Sequence, residues 1–449
     1  MSPNSSQPGQ TLWAAMINLP EGDLLARTLP RTYTDAGEPP LSASSLDREM
    51  ETDIVVIGGG IMGASAALHL AAGGASVCLV EAETIGSGGS GRSFGQVVPY
   101  LRTEPDVALA NLGKEAGTRL INVAARSPDL VFDLIAHYGI DCDAVRNGLL
   151  FAAHAPAGEA SLRSRRDWWA ARGVDLPLLD REEAATAIGG GFYPCVLVEP
   201  RGGTLNPLAY ARGLARSCAS LGGLVFEQSP VSGIVQSGNG FFVTAGRGAI
   251  RCRTVVVTAG LGLRRLLPAY RRTLLPVRVH EAATEPLSVE QIEGILPSAT
   301  ALTETRKLPS GIRRTSGGQI VVTLSGPAAG ERGADPDAAA RRLTEVFPQL
   351  SSAPVFERWS GWVDLTRDQY PRIEEPQPGF LVGFGLSGRG LGLGTTLGKD
   401  LACRALGAPW ANIPFPGRGQ TSARKWWPGS SFAASLAMAA IRMSEEHRF

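Results

Sequence analysis

The fold of this 449-residue chain is decided by the stretch Ile54-Val-Val-Ile-Gly-Gly-Gly-Ile-Met-Gly63. Its β-branched beginning, residues 53–57, is typical of a buried parallel strand. An alanine-rich segment, residues 64–72, predicts a helix, and residues 75–80 predict a second apolar strand that ends at Glu81. Strand, glycine turn, helix, strand and acid therefore follow one another in the order of a dinucleotide-binding βαβ unit.

Each glycine of the G-x-G-x-x-G spacing has a separate physical role. Gly58 allows the tight turn, Gly60 lets backbone N–H groups approach a pyrophosphate, and Gly63 permits close packing of the helix against the strand. The start of the helix stabilises the diphosphate, and Glu81 accepts hydrogen bonds from a ribose. A tight structural turn has the same spacing, so it is the flanking elements that favour dinucleotide binding.

Composition limits the possible classes of protein. The length indicates two or three domains, and 44% hydrophobic with 19% charged residues is typical of a soluble globular protein. A net charge of +1 without a basic run argues against nucleic-acid binding. No apolar segment approaches the ~18 residues of a membrane span, and the N-terminus has no signal-peptide pattern, so a cytoplasmic protein is expected.

The six cysteines are scattered without C-x-x-C pairs or metal-ligand spacing, and the five histidines do not cluster. In a cytoplasmic protein such thiols are expected to be reduced, and no metal site is expected. The sequence does not indicate an oligomeric state.

Glycine-rich segments recur later in the chain. Residues 86–96 and 380–394 have a glycine density that lets the backbone pass close to a ligand. The second of them leads into a helix predicted over 395–406. Residues 106–138 predict one helix, and residues 276–325 alternate as strands do.

Two dinucleotides, NAD and FAD, fit the first motif, and Glu81 serves either. Reduction of a flavin puts negative charge on its N1–C2=O edge, and the free N–H groups at a helix start stabilise such a charge. A nicotinamide does not require such N–H donors. Residues 385–394 therefore favour FAD, with a tight structural turn as the alternative interpretation.

These segments predict an α/β (mixed α+β) fold, with a Rossmann-like FAD-binding domain interleaved with a mixed, largely antiparallel-sheet substrate domain. The leader is expected to be a surface arm whose apolar residues 12–16 dock on the body, and residues 432–443 are expected to form a packed or interfacial helix. The predicted divisions are an N-terminal arm, 1–49; an FAD-binding domain, 50–130, 200–275 and 355–407; a substrate domain, 131–199 and 276–354; and a C-terminal tail, 408–449.

The chain resembles the D-amino-acid-oxidase-like flavoproteins, which include glycine, sarcosine and γ-glutamylputrescine oxidases. The resemblance covers most of the chain, from near Pro39 to Gly407. It is carried, in chain order, by Ile57-Gly-Gly-Gly-Ile-Met-Gly63, Val80-Glu-Ala82, Ser90-Gly-Arg-Ser-Phe-Gly-Gln96, Gly203-Thr-Leu-Asn-Pro207, Val257-Thr-Ala-Gly260, Ala283-Thr-Glu-Pro-Leu287, Trp359-Ser-Gly361, Thr366-Arg-Asp368, and Gly385-Leu-Ser-Gly-Arg-Gly390 with Gly398-Lys399.

The resemblance implies an extended, non-covalently bound FAD. Relatives with a covalent flavin attach it through a Cys that the segment Trp359-Ser-Gly-Trp-Val-Asp364 lacks. The cofactor-binding residues that the resemblance implies are Gly58, Gly60, Ile61, Met62, Gly63, Glu81, Ala82, Gly91, Arg92, Ser93, Gly95, Gln96, Val231, Ala259, Gly260, Ser387, Gly388, Arg389, Gly390 and Leu391.

Arg313, Arg389 and Trp362 are the candidate catalytic residues, and no general base is named. Arg313 or Arg314 falls where relatives place a cation over the flavin, where it would pair with a substrate carboxylate or favour oxygen reduction. An exposed strand arginine is the alternative. Arg389 stands where relatives commonly have His, and Phe94 adds a ring to the Ser90–Gln96 loop; both departures bear on substrate identity.

The expected function is that of an FAD-dependent amine or amino-acid oxidase. Hydride passes from the carbon next to nitrogen to flavin N5, water hydrolyses the imine, and O2 reoxidises the flavin to give H2O2. Three alternatives stay open: a dehydrogenase that passes electrons to a quinone or protein acceptor, a nicotinamide-dependent dehydrogenase, and a flavin-binding subunit of a larger complex. The sequence does not identify the small-molecule substrate or its stereochemistry.

Overall fold

A computed structural model describes residues 29–307, 310–324, 335, 337–417 and 433. The apolar patch at 12–16 lies outside the described residues, as does the helix expected over 432–443, apart from residue 433.

A six-stranded sheet is built around the strand that precedes the glycine turn. Its strands run parallel except for the edge strand Arg372–Gln377. In spatial order the strands are Arg372–Gln377, Phe380–Phe384, Thr254–Val257, Ile54–Ile57, Val77–Val80 and Leu224–Phe226. The predicted βαβ unit is present, because the helix Ile61–Ala72 connects the strands Ile54–Ile57 and Val77–Val80.

A second, eight-stranded sheet is antiparallel apart from one parallel pair, Ala301–Glu304 with Leu149–Ala152. In spatial order its strands are Val355–Leu365, Leu275–Thr284, Ile320–Leu324, Gly311–Arg314, Ala301–Glu304, Leu149–Ala152, Val196–Glu199 and Leu178–Leu179. Two smaller sheets consist of Glu49–Glu51, Gly248–Cys252, Gly240–Ala245 and Val231–Ser237, and of Gln96–Val97 with Gly203–Thr204.

Two helix predictions need correction. The helix predicted over 106–138 is two helices, because Gly113 adopts a φ of +80° between them. The helix predicted from 395 begins at Gly392. The described α-helices are Arg31–Thr34, Ile61–Ala72, Pro105–Leu112, Lys114–Tyr138, Pro156–Ala170, Arg181–Ile188, Pro207–Ser220, Leu263–Leu266, Val289–Ile292, Ala338–Val346 and Gly392–Ala405.

One predicted domain limit falls inside a helix of this fold, and another separates two paired strands. The limit at 130/131 falls inside the helix Lys114–Tyr138. The strand Val355–Leu365, which the prediction gave to the FAD-binding domain, pairs along its length with Leu275–Thr284 in the eight-stranded sheet. Because it is hydrogen-bonded along its length to a strand of the eight-stranded sheet, this strand belongs to that sheet.

The helices Ile61–Ala72 and Gly392–Ala405 pack against each other at glycine. A Cβ at Gly398 would overlap the carbonyl oxygen of Met62 and would lie 2.8 Å from the Cβ of Ser65. Because the obstacle is backbone, it cannot rotate away, and the two helices would have to separate.

We therefore expect Gly398→Ala to lower the free energy of unfolding by about 1–3 kcal/mol, the range typical of overpacking. Gly233→Ala is the matched control, because a Cβ there meets only the Thr244 hydroxyl at 3.9 Å. Urea denaturation of both variants measures the difference. Equal midpoints for the two variants would show that the helices tolerate the added methyl group.

Candidate active site

The glycine turn is held closed by close approaches between segments. Gly58 has a φ of +106°, and a Cβ there would lie 2.9 Å from the Thr258 carbonyl oxygen. A Cβ at Gly60 would lie 2.8 Å from the Ser90 hydroxyl oxygen, and one at Gly63 would overlap the Gly58 carbonyl oxygen. Gly58 and Gly63 are therefore required sterically, because their obstacles are backbone atoms, whereas the obstacle at Gly60 is a side-chain hydroxyl that can rotate.

The start of the helix Ile61–Ala72 presents free donors. The Ile61 amide donates to the Ser90 hydroxyl at 3.1 Å. Among the described residues, none accepts a hydrogen bond from the amides of Gly60, Met62 or Gly63. Free amides at a helix start are the donors that hold a diphosphate.

Glu81 is fixed beside this turn. One of its carboxylate oxygens accepts from the Gly59 amide at 2.6 Å, and the other accepts from the Glu83 amide at 2.9 Å. Burial raises the pKa of the Glu81 carboxyl, and these two amides oppose that rise. The carboxylate retains lone pairs for the hydroxyl groups of a ribose.

Other residues predicted for the adenosine and diphosphate end lie nearby. The Ser229 amide donates to the carbonyl of Glu81, the residue before Ala82, at 2.9 Å, and Val231 begins the next strand. Ala259 and Gly260 follow the strand Thr254–Val257, which is paired with the strand of the glycine turn. The structure thus brings these residues to one edge of the six-stranded sheet.

The loop 92–95 has each of its four carbonyl oxygens engaged by a donor from another part of the chain. Trp359 Nε1 donates to the Arg92 carbonyl at 3.0 Å, and the Tyr33 hydroxyl donates to the Ser93 carbonyl at 2.9 Å. Arg313 Nε donates to the Phe94 carbonyl at 2.5 Å, and the Leu205 amide donates to the Gly95 carbonyl at 2.9 Å. These donors come from the N-terminal segment, the eight-stranded sheet and the loop that leads to the helix Pro207–Ser220.

The amides of the same loop are free. None of the described residues accepts from the N–H of Ser93, Phe94 or Gly95, which we call the amide row. The next side chain, Gln96, accepts from the Thr303 hydroxyl at 3.1 Å through its oxygen, while its buried Nε2 has no partner. Unsatisfied donors in a half-buried place indicate a site for a ligand rich in acceptor atoms.

Two further predicted residues support this loop. Arg92 is 5% exposed, and its Nε donates to the Ser87 carbonyl at 3.0 Å. A Cβ at Gly91 would lie 2.5 Å from the Gly86 carbonyl oxygen, so the backbone there has no room for a side chain.

A second group of free amides lies at the start of the helix Gly392–Ala405. Among the described residues, none accepts from the amides of residues 390–392, which include Gly390 and Leu391. The preceding turn is held by Asp364, whose carboxylate accepts from the Gly385 amide at 2.9 Å and whose carbonyl accepts from the Ser387 amide at 3.2 Å. Burial raises the pKa of Asp364 to about 6.

Arg389 and Arg102 place positive charge beside the same turn. Arg389 keeps some exposed surface, but its Nε is buried and has no partner among the described residues. Arg102 is exposed, and its Nη1 lies 3.6 Å from the Cβ position of Gly388. Burial of the guanidinium, together with the charges of Arg102 and Arg165, lowers the pKa of Arg389 to about 9, so Arg389 stays cationic at neutral pH.

The two other catalytic candidates have different surroundings. Arg313 is 1% exposed, so the alternative of an exposed strand arginine is wrong for this residue. Its Nη2 donates to the Tyr33 hydroxyl at 3.1 Å, in addition to the bond from Nε to Phe94. The indole of Trp362 lies against Arg278, 4.9 Å from the guanidinium carbon, and its contact with a substrate stays a prediction.

Four residues of this site were not predicted as site residues: Tyr33, Trp359, Asp364 and Arg102. Tyr33 belongs to a segment whose composition indicated only a surface arm. Trp359 begins a motif that carried the family resemblance, and Asp364 follows that motif by three residues, but no local pattern shows which carbonyl or amide they reach. Long-range hydrogen bonds of this kind leave no periodicity in the sequence.

The described residues contain no group of three or more His, Cys, Asp or Glu side chains that could hold a metal ion. No helix in the described ranges is long and apolar enough to cross a bilayer.

The donor set fits FAD. Free amides at two helix starts suit the diphosphate and the N1–C2=O edge of a flavin, and the amide row suits the remaining ring acceptors. Two contacts show that these groups are close together: Ile61 N to Ser90 Oγ at 3.1 Å, and the Cβ position of Gly394 to Met62 N at 4.0 Å.

Residues 53–404 match the family described as FAD dependent oxidoreductase, or DAO. Probable oxidoreductase OrdL of Haemophilus influenzae is 26% identical over 384 residues, which cover 84% of this chain and 88% of the relative. Gamma-glutamylputrescine oxidoreductase of Escherichia coli is 29% identical, with 83% of this chain and 90% of the relative covered. The crystal structure of glycine oxidase from Geobacillus kaustophilus has a similar fold, with a TM-score of 0.67 and 23% identity over 79% of this chain and 95% of that chain. The predicted fold class is confirmed, and the chain belongs to the DAO family of FAD-dependent oxidoreductases.

Proposed function

We propose that this protein oxidises a C–N bond of a small amine or amino acid, using a non-covalently bound FAD and O2 as the electron acceptor. The names of two relatives, gamma-glutamylputrescine oxidoreductase and glycine oxidase, support an amine or amino-acid substrate. The observation that carries the proposal is the amide row, because three successive free N–H groups in a half-buried loop suit the acceptor edge of a flavin ring.

When bound, FAD would supply the two-electron oxidation of the C–N bond by accepting a hydride from the carbon next to nitrogen; water would hydrolyse the imine product, and O2 would accept the electrons to give H2O2. The chain would supply binding and orientation. Gly60 and Gly63 would hold the diphosphate with backbone N–H groups, Glu81 would hold the ribose, and the amide row would hold the ring.

Arg389 and Arg102 are assigned to an anionic group of the substrate. Neither forms an ion pair with a described residue, whereas the neighbouring Arg165 is paired with Glu104 at 2.5 Å. A cation whose Nε is buried without a partner is costly to keep, and a carboxylate beside it removes that cost. Arg313 has a different role in this proposal, since two of its nitrogens already hold Phe94 and Tyr33.

The mode of flavin attachment is testable by acid precipitation of the purified protein. We expect absorbance bands near ~375 and ~450 nm whose chromophore passes into the supernatant, as a non-covalent flavin does. The segment Trp359–Asp364 contains no cysteine for a thioether link. A yellow pellet would contradict non-covalent attachment, and a colourless protein that does not take up FAD would contradict the whole proposal.

The anion role of Arg389 is testable without knowing the substrate. We expect propionate to perturb the visible spectrum of the FAD-loaded protein at lower concentration than propionamide does, because only propionate is charged. Arg389→Gln should raise the Kd for propionate about tenfold or more, the equivalent of a charge-assisted hydrogen bond of about 1.5–3 kcal/mol. The Kd for propionamide should not change.

Arg253→Gln is the control for this experiment, since that arginine is 78% exposed and pairs with Asp53. A propionate Kd that is the same in Arg389→Gln and in the control would remove Arg389 from the anion site while leaving the oxidase proposal standing.

A further inference from the structure

The N-terminal segment, residues 30–36, packs against the body of the protein near the active site, with Thr32 and Tyr33 buried and Arg31 and Asp35 exposed. Residues 31–34 form a short helix, and Tyr33 is 1% exposed. The expectation of a surface arm is therefore wrong at Tyr33, because this side chain is buried.

Side chains from two other elements hold the segment in place. Glu357, on the strand Val355–Leu365, accepts from the Arg31 amide at 2.7 Å, and from the Thr32 amide and hydroxyl, both at 2.9 Å. Asn206 Nδ2 donates to the carbonyl oxygens of Tyr33 at 3.0 Å and Ala36 at 3.1 Å. The segment is thus tied both to the eight-stranded sheet and to the N-cap residue of the helix Pro207–Ser220.

Tyr33 stands at the centre of the contacts on the loop 92–95. Its hydroxyl donates to the Ser93 carbonyl at 2.9 Å and accepts from Arg313 Nη2 at 3.1 Å. Its ring meets the edge of Trp359, with 5.4 Å between the ring centroids. Burial raises the pKa of Tyr33 to about 12, so the hydroxyl keeps its proton and remains a donor across the physiological range.

The carbonyl of Ser93 and the amide of Phe94 belong to one planar peptide and point in opposite directions. A hydrogen bond that fixes the carbonyl therefore also fixes the direction of the N–H. The peptides on either side are fixed in the same way, by Trp359 at the Arg92 carbonyl and by Arg313 at the Phe94 carbonyl.

We infer that Tyr33 is a positioning residue of the cofactor site: its hydroxyl orients the Phe94 amide, the central member of the amide row, toward the bound FAD. The N-terminal segment is then part of the cofactor-binding apparatus. This inference rests on the proposed function, because it takes the amide row as the part of the chain that contacts the flavin.

Tyr33→Phe tests it, because this change removes the hydroxyl and keeps the ring. FAD binding to the apoprotein is measured by quenching of flavin fluorescence, and the flavin midpoint potential and absorbance fine structure are recorded after loading. We expect the Kd for FAD to rise about three- to tenfold, because the hydroxyl that holds the Ser93 carbonyl is lost. The potential should become more negative, because a misdirected amide stabilises the reduced flavin less.

The matched control is Tyr270→Phe. Tyr270 is also buried, and its hydroxyl donates to the carboxylate of Glu374 at 2.7 Å, away from the loop 92–95. A merely structural role for Tyr33 predicts the same small loss of stability in both variants with the potential unchanged, and that result would overturn the inference.

A second variant covers the case in which Tyr33→Phe does not fold. Thr32→Val removes one bond to Glu357 and leaves the Tyr33 hydroxyl intact. It should shift the Kd for FAD and the potential in the same direction by a smaller amount, and unchanged values would count against the inference. If the unmodified protein binds no FAD, the proposed function itself fails, which is a different result from equal behaviour of the Tyr33 and Tyr270 variants.

Discussion

The hydrogen bonds to four successive carbonyl oxygens, those of residues 92–95, are the constraint on which the active site depends. A loop with free amides on one side is stable only if its carbonyls are satisfied on the other. Here the N-terminal segment, the eight-stranded sheet and the connection before the helix Pro207–Ser220 all contribute donors. The loop is therefore held in its conformation before any ligand arrives, which lowers the entropic cost of binding.

The same constraint explains why the two large sheets cannot be treated as separate units. The strand Val355–Leu365 is paired in the eight-stranded sheet, yet two of its side chains contact the proposed cofactor site. Trp359 donates to the loop 92–95, and Asp364 accepts from the turn before the helix Gly392–Ala405. The six-stranded sheet supplies the glycine turn and Glu81. The proposed cofactor site thus draws on both sheets, and the positive charge of Arg389 and Arg102 lies at its edge, where an anionic group can neutralise it.

The parts that could be predicted from the sequence are those with a local cause. The glycine turn, the helix behind it and the strands within residues 276–325 were all predicted, because periodicity and glycine spacing act within a few residues. The break at Gly113 was missed, because an isolated glycine inside a helical pattern does not show which sign its φ will take. The limit predicted at 130 falls inside a helix and the limit predicted at 355 separates two paired strands, because the length of a helix and the pairing of strands are properties of the folded chain.

By itself, the sequence determined the dinucleotide-binding unit, since a few glycines and one acid at fixed spacing are enough to build a diphosphate site at a helix start. The family followed from the resemblance carried by motifs spread from Ile57 to Lys399. The tertiary structure alone decided which donors satisfy the loop 92–95, that Tyr33 lies inside the protein, and that Arg313 is engaged while Arg389 has an unpartnered Nε. Hydrogen bonds between residues separated by tens to hundreds of positions depend on how the sheets meet, and neither composition nor spacing records that geometry.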